Sequence, residues 1–257
     1  MSIYFTKLPD RAFISVSGEA RIDFLEGLIT NSISNIQDNQ LIYSCLLNAQ
    51  GKFLFDFFIR AESDTLILEC EGGERAISLL QKLKLYKLRS KVTLEMQDNV
   101  DVYAVWGGNN SYKDPRHTDM GYRSYTKPNG EEKPFEAWDT HRIKLGVPDG
   151  SRDLTVEKST LLDFNIDKLN GIDFKKGCYV GQEVTARMHY RGLAKKHLQI
   201  IEWDTLPNLG EDIIIDGKMI GEMRSSQGNI GLALIKDDAL EQHLPFTVIP
   251  SNAEGSL

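Results

Sequence analysis

The chain has 257 residues, 41% hydrophobic and 26% charged, with a net charge of −7, values ordinary for a globular protein of one large or two to three small domains. No apolar run approaches the roughly 18 residues of a membrane span, and the first ten residues show neither a secretory nor a transit pattern. Three widely spaced cysteines (Cys45, Cys70, Cys178) exclude a disulfide framework and a Cys-x-x-Cys zinc pair, so a reducing, cytoplasmic setting is expected.

In chain order, Arg11–Val16 alternates as a strand, and Ser17 is expected to cap a helix over about 18–30 with Ala20, Phe24, Leu25, Leu28 and Ile29 on one face. Leu41–Leu47 and Lys52–Ala61 flank Asn48-Ala49-Gln50-Gly51, a hairpin signal. Thr65–Cys70 reads as a third strand. Glu74–Leu88 is the clearest helix, with an apolar stripe from Ala76 to Tyr86 and Lys82, Lys84, Lys87 and Arg89 near its C-terminus. Val92–Met96 and Asp101–Trp106 follow as strands, ended by Gly107-Gly108-Asn109-Asn110. The order over 41–106 therefore predicts an α+β unit with an antiparallel sheet. Residues 109–133 read as loops and Pro134–Leu145 as a helix ending at Gly146. After Gly192, five short strand-like runs with Gly and Asp turns predict a small all-β module.

The densest chemistry lies in Lys176-Gly177-Cys178-Tyr179-Val180-Gly181-Gln182-Glu183. A thiol sits close behind two lysines, Lys175 and Lys176, which would favour the thiolate, and ahead of an expected helix from Gly181 whose dipole acts the same way. An inert, buried Cys in a tight turn is the competing reading. Residues 175–197 hold six cations against one acid, leaving −12 on the rest of the chain. Such an island fits a local anionic ligand or a solvated helix face. The overall acidity disfavours direct nucleic-acid binding through Arg187, Arg191, Lys195 and Lys196. The five histidines have no metal-ligand spacing, and the phosphate-loop, dinucleotide and serine-hydrolase motifs are missing, so no metal site is expected.

Residues 176–183 resemble the Lys-Gly-Cys-Tyr-x-Gly-Gln-Glu signature of the YgfZ-type folate-binding proteins, which act in iron–sulfur cluster maturation and share the fold of the glycine-cleavage T-protein. Gly27–Asn31, Asn48–Lys52 with Asp56, Asp114-Pro115-Arg116 with Gly121 and Arg123, Arg142 to Pro148, and Gly231–Leu234 resemble further elements of that family in order. The resemblance implies an α+β, T-protein-like three-part ring with antiparallel sheets and a small C-terminal β-barrel. Its parts would be a folate-binding region over 1–192 (body 1–40 and 107–192, inserted lobe 41–106) and a barrel over 193–257. It implies tetrahydrofolate or a derivative as cofactor, Cys178 as the functional thiol, and folate contacts from Asp56, Arg116, Arg123, Asp163, Lys176, Tyr179, Gln182, Glu183 and Arg187. Implied partners are iron–sulfur assembly proteins and cluster-containing clients, including tRNA-modifying enzymes, and no membrane. Two departures stand out. The T-protein hairpin carries two adjacent acids where this chain has Phe55-Asp56, which leaves aminomethyl transfer as the alternative activity. The family's Pro-x-Glu is here Leu161-Leu162-Asp163.

Overall fold

Alternating side chains and Gly-centred turns build fifteen strands among the described residues of this chain. The computed structural model describes residues 2–108 and 112–250; Asn109, Asn110 and the last residues of the expected barrel range lie outside them. The first part runs β1 (Tyr4–Lys7), β2 (Arg11–Ser17), α1 (Arg21–Glu26), β3 (Ile42–Leu47), β4 (Phe53–Glu62), β5 (Thr65–Glu71), α2 (Gly73–Lys87), β6 (Thr93–Gln97) and β7 (Tyr103–Trp106). The middle holds β8 (Tyr112–Lys113), β9 (Tyr122–Ser124), β10 (Glu131–Glu132), α3 (Phe135–Lys144), α4 (Gly150–Asp153) and α5 (Gln182–Arg191). The last part is β11 (Lys196–Glu202), β12 (Asp212–Ile215), β13 (Lys218–Gln227), β14 (Ile230–Lys236) and β15 (Thr247–Ile249).

These strands form three five-stranded sheets, ordered β3-β4-β5-β2-β6, β10-β1-β7-β9-β8 and β12-β13-β14-β11-β15. Every pairing is antiparallel except β1 with β10. The predicted hairpin forms, with Gly51 at φ +71 in its turn. The α+β unit expected at 41–106 has different limits. β2 lies between β5 and β6 in its sheet, and β7 leaves it for the second sheet. A strand register cannot be read from local order, because β2 reaches its neighbours over more than fifty residues.

The helix expected from about residue 18 is shorter. Gly18 sits at φ +106, where a Cβ would lie 2.4 Å from the Lys91 carbonyl oxygen, so the chain turns there before helix can start. Ser17 stays in β2, and Ala20 occupies the N-cap position without a side-chain cap. Leu28 and Ile29 lie past the helix; the Ile29 carbonyl accepts from Lys176, and Ile29 bridges Leu46.

Three apolar layers follow from the strand faces. One lies between the first sheet and the two helices α1 and α2, and includes Ile14, Phe57, Leu68, Leu79 and Leu83. A second fills the C-terminal sheet, with Ile201, Ile213, Met223 and Ile235. The third is central and takes Tyr43 and Phe58 from the first sheet, Val102 and Ala104 beside and on β7, Trp138 from α3, and Leu198 and Leu232 from the C-terminal sheet. All three sheets thus share one core.

A buried polar junction joins α3, α4 and the C-terminal sheet. Arg142 is fully buried and donates from Nε to Asp139 Oδ1 (2.6 Å), from Nη1 to Asp153 Oδ2 (2.8 Å) and the Val147 carbonyl (3.0 Å), and from Nη2 to Ser225 Oγ (2.6 Å). Ser225 in turn donates to Asp153 Oδ1 through its hydroxyl (2.6 Å) and its amide (3.0 Å). Removing one member of a buried pair strands the other. Arg142→Met is therefore expected to cost about 3–5 kcal/mol of stability, read as a lowered urea midpoint; a midpoint unchanged from wild type would show the junction to be dispensable.

Candidate functional site

The inner face of the first sheet is charged. Arg11 and Phe13 of β2, Asp56, Phe58 and Arg60 of β4, and Glu69 and Glu71 of β5 all point to the central side, while their neighbours face the helices. Glu69 is fully buried. Its Oε1 accepts from Arg11 Nε (2.9 Å) and Arg123 Nη1 (2.5 Å), and its Oε2 from Tyr125 Oη (3.1 Å). Arg116 is clamped on Asp114 by two side-chain hydrogen bonds of 3.0 and 2.7 Å, and both arginines lie over the Phe58 ring.

A cavity of about 380 Å³ opens at the end of this sheet, between Arg11, Glu71, Arg75, Trp138, Asp149 and Arg152. Its walls combine two ring faces, Phe135 and Trp138, with both signs of charge, the usual make-up of a small-molecule site. Arg123 also lines this cavity, and its Nε lies 3.6 Å from Asp114 Oδ2, beyond hydrogen-bond distance. Glu71 accepts from Arg75 Nε (2.7 Å) and from the amide (2.8 Å) and hydroxyl (2.9 Å) of Ser151. Gly150 makes this approach possible: at φ +45, its Cβ would lie 2.5 Å from Glu71 Oε1 and 2.9 Å from Asp56 Oδ1.

Two carboxyls here are driven apart in acidity. Burial raises Asp56, the neighbouring charge of Glu71 adds to it, and Arg11 only partly opposes them, leaving it at about 6. Tyr43 Oη donates to its Oδ2 at 3.0 Å. Burial also pushes Asp149 up, but Arg142 and Arg152 outweigh it and bring it down to about 2. Asp56 can therefore exchange a proton near neutrality while Asp149 stays charged. Asp56 does not itself line the cavity; it stands beside Glu71, which does.

The thiol motif folds elsewhere. Lys176 Nζ donates to the carbonyls of Ile29 and Asn31 (2.8 Å each) and pairs with Glu26 Oε2 at 2.9 Å. Tyr179 is buried in the central core. Gly181, at φ +83, meets the hairpin turn: a Cβ there would lie 2.6 Å from the Asn48 carbonyl oxygen. Gly51 faces back, and its Cβ would lie 3.0 Å from Val184 Cβ. Cys178 is thus an exposed thiol on backbone clamped at both sides, with open space beside Gly177. Cys45 and Cys70 are buried, and burial pushes the Cys70 thiol up to about 12 and the Cys45 thiol well up.

The expected site residues divide into three places. Asp56, Arg116 and Arg123 meet at the central charged face. Cys178, Gln182, Glu183 and Arg187 lie on the outer surface or at its margin around the start of α5, away from the cavity walls. Asp163 is the third, raised by burial in a cleft of about 950 Å³ with Lys52, Lys195 and Lys196. Lys176 is corrected as a ligand contact and as a thiolate-stabilising neighbour, because its ammonium is committed to the turn after α1. Tyr179 is likewise a core residue. Sequence reasoning missed Arg11, Glu71, Trp138, Asp149 and Arg152. The signal available was Glu69-Cys70-Glu71, two acids at one-face spacing in an otherwise apolar strand.

Residues 195–255 match the model of the CAF17 C-terminal beta-barrel domain. The human mitochondrial iron–sulfur cluster assembly factor IBA57 is 31% identical over 91% of this chain and 78% of its own length. The chain belongs to the IBA57 family. A homolog of that factor from Neurospora crassa, also mitochondrial, is 33% identical over 75% of this chain and 52% of its own. The glycine cleavage system aminomethyltransferase T from Bartonella henselae superposes with a TM-score of 0.68 at 12% identity, covering 91% of this chain and 78% of the other. The IBA57-family chain therefore has the expected α+β, T-protein-like fold with antiparallel sheets and a C-terminal β-barrel. The cytoplasmic expectation is corrected: IBA57 relatives from human, mouse and Neurospora crassa are mitochondrial, and cysteine usage does not distinguish two reducing compartments.

Two outcomes are expected from this geometry. Iodoacetamide should alkylate one thiol of the native protein, Cys178, and all three in denaturant, as read by intact mass. Between about pH 4 and 6 the folded state binds a proton at Asp56 that the unfolded chain releases near its ordinary 3.8. Stability is therefore fuller below that window and lost as pH rises through it. Asp56→Asn should flatten this part of the urea-midpoint profile, with the variant gaining on wild type towards pH 7.

Proposed function

We propose that this member of the IBA57 family is a tetrahydrofolate-binding accessory factor, of the wider YgfZ type, for assembly or repair of iron–sulfur proteins, with Cys178 as its functional thiol. One observation carries the reading. Of three thiols only Cys178 is exposed, and it is held on clamped backbone ahead of α5 with space around Gly177. An exposed thiol in that setting can donate a sulfur lone pair to an iron of a cluster presented by a partner, the cluster being cargo. Iron–sulfur assembly proteins and cluster-containing enzymes, tRNA-modifying ones among them, are the proposed partners.

The cavity at the end of the first sheet supports the folate reading. Trp138 and Phe135 offer ring faces for a pterin, Glu71 and Asp149 accept from its edge, and Arg11, Arg75 and Arg152 suit a glutamate tail. Arg123, also in the cavity wall, adds a further guanidinium. Bound tetrahydrofolate supplies an amine that carries one-carbon units. Asp56 then holds or releases a proton near neutrality beside Glu71, while Asp149 stays ionised.

One-carbon transfer is the second reading, favoured by Asp56. It is opposed by the place of Phe55, whose ring faces the helix side and packs under Arg75 at 4.3 Å, so the hairpin brings one acid to the inner face. Complementation of a deletion strain separates the readings. Cys178→Ala should bind tetrahydrofolate as wild type does and fail to restore cluster-enzyme activity. Asp56→Asn should shift the folate titration. Full restoration by Cys178→Ala would sink the thiol role, and turnover of an aminomethyl donor would install the transferase.

A further inference from the structure

The outer face of α2 carries large apolar side chains that the fold does not use. Ala76, Leu79 and Leu83 supply its buried stripe. On the opposite face Ile77 is 45% exposed and Leu85 71%, and Leu88, just past the last turn, is 87% exposed. Leu88 takes φ +44 and ψ −108, a backbone conformation costly for a residue with a side chain, where glycine would be ordinary.

Around these leucines the charge has one sign. Residues 82–91 hold Lys82, Lys84, Lys87, Arg89 and Lys91 without an acid, so the rest of the chain carries −12. Among the described residues no ion pair is made by Lys82, Lys84, Lys87 or Arg89. Strand register brings the Ser17, Thr65 and Thr93 ends of the sheet to this same side. Three acids there are paired: Glu19 with Lys91, Asp64 with Arg21 and Glu62 with Arg60.

We propose that the C-terminal end of α2 is a docking surface for an anionic lipid bilayer, with Leu85 and Leu88 entering the headgroup layer and the free cations on lipid phosphates. Protruding leucines flanked by lysines match that surface, where apolar tips insert and long cationic side chains snorkel. A nucleic acid offers phosphate but nothing for the leucines. A protein partner would bury a flat or grooved patch, whereas these two side chains project. The orientation follows from topology. α2 starts at Gly73 in the cavity wall and runs fifteen residues, about 22 Å, to the docking end. The cavity mouth thus faces away from the bilayer. The absence of a spanning run led to the expectation of no membrane partner, but peripheral docking needs no such run.

Sedimentation of the full chain with vesicles tests this. Wild type should bind phosphatidylcholine vesicles containing one-third phosphatidylglycerol, lose binding as salt rises, and ignore pure phosphatidylcholine. Lys84→Glu with Lys87→Glu, and Leu85→Ser with Leu88→Ser, should each lower the bound-to-free ratio by about tenfold. Lys195→Glu with Lys196→Glu, an equal charge change on another surface, should leave it unchanged. Hydrogen exchange of the wild-type chain on vesicles should show added protection within 82–91, a readout independent of any variant's folding. Absence of wild-type binding, equal loss in the Lys195/Lys196 pair, or protection confined to other segments would overturn the proposal.

Discussion

The geometry of this protein depends on the saturation of one buried guanidinium. Arg142 makes four hydrogen bonds in a site without solvent access, to α3, to the following turn, to α4 and to the C-terminal sheet. A buried charge tolerates no vacancy, so these elements are held at one mutual distance. Asp139 extends the junction. It also accepts from Arg152 and from Gln227, and Arg152 forms part of the cavity wall. The cavity is therefore shaped by a contact between parts of the chain that are far apart in sequence.

Within that frame, charge is distributed by strand alternation. The first sheet gives its outer face to helices and its inner face to arginines and carboxylates. Burial alone would make such a face prohibitive. Each carboxylate there has found a partner, and Asp56, which accepts from Tyr43, still titrates near neutrality because burial and Glu71 outweigh Arg11. Asp56 stands beside Glu71, which lines the cavity.

The thiol surface is built by different means. Glycine meets glycine where the hairpin turn and the start of α5 interlock, and Lys176 ties the preceding residue pair to the turn after α1. Gly27–Asn31 serves the same end: Thr30 and Asn31 bond across to β3 and to Asn170 and Gly171. Motif residues that sequence reasoning assigns to a ligand here position the backbone that presents Cys178. The thiol and the cavity are separate places on one chain.

The hairpin, α2, the C-terminal strands and the T-protein-like fold were legible in the sequence, because these rest on local periodicity, turn glycines and short ordered motifs. It also singled out Cys178 and Asp56. What it did not determine is which residues share a site. The central position of β2, the exit of β7 to another sheet, and the meeting of Arg11, Glu71, Trp138 and Arg152 all arise from pairings separated by tens of residues. Such pairings depend on register, on which carboxylate captures which guanidinium, and on where a Cβ is missing. Lys176 shows the difference most plainly. Adjacency in sequence put its charge beside the thiol, and three oxygen ligands in the folded chain drew it away.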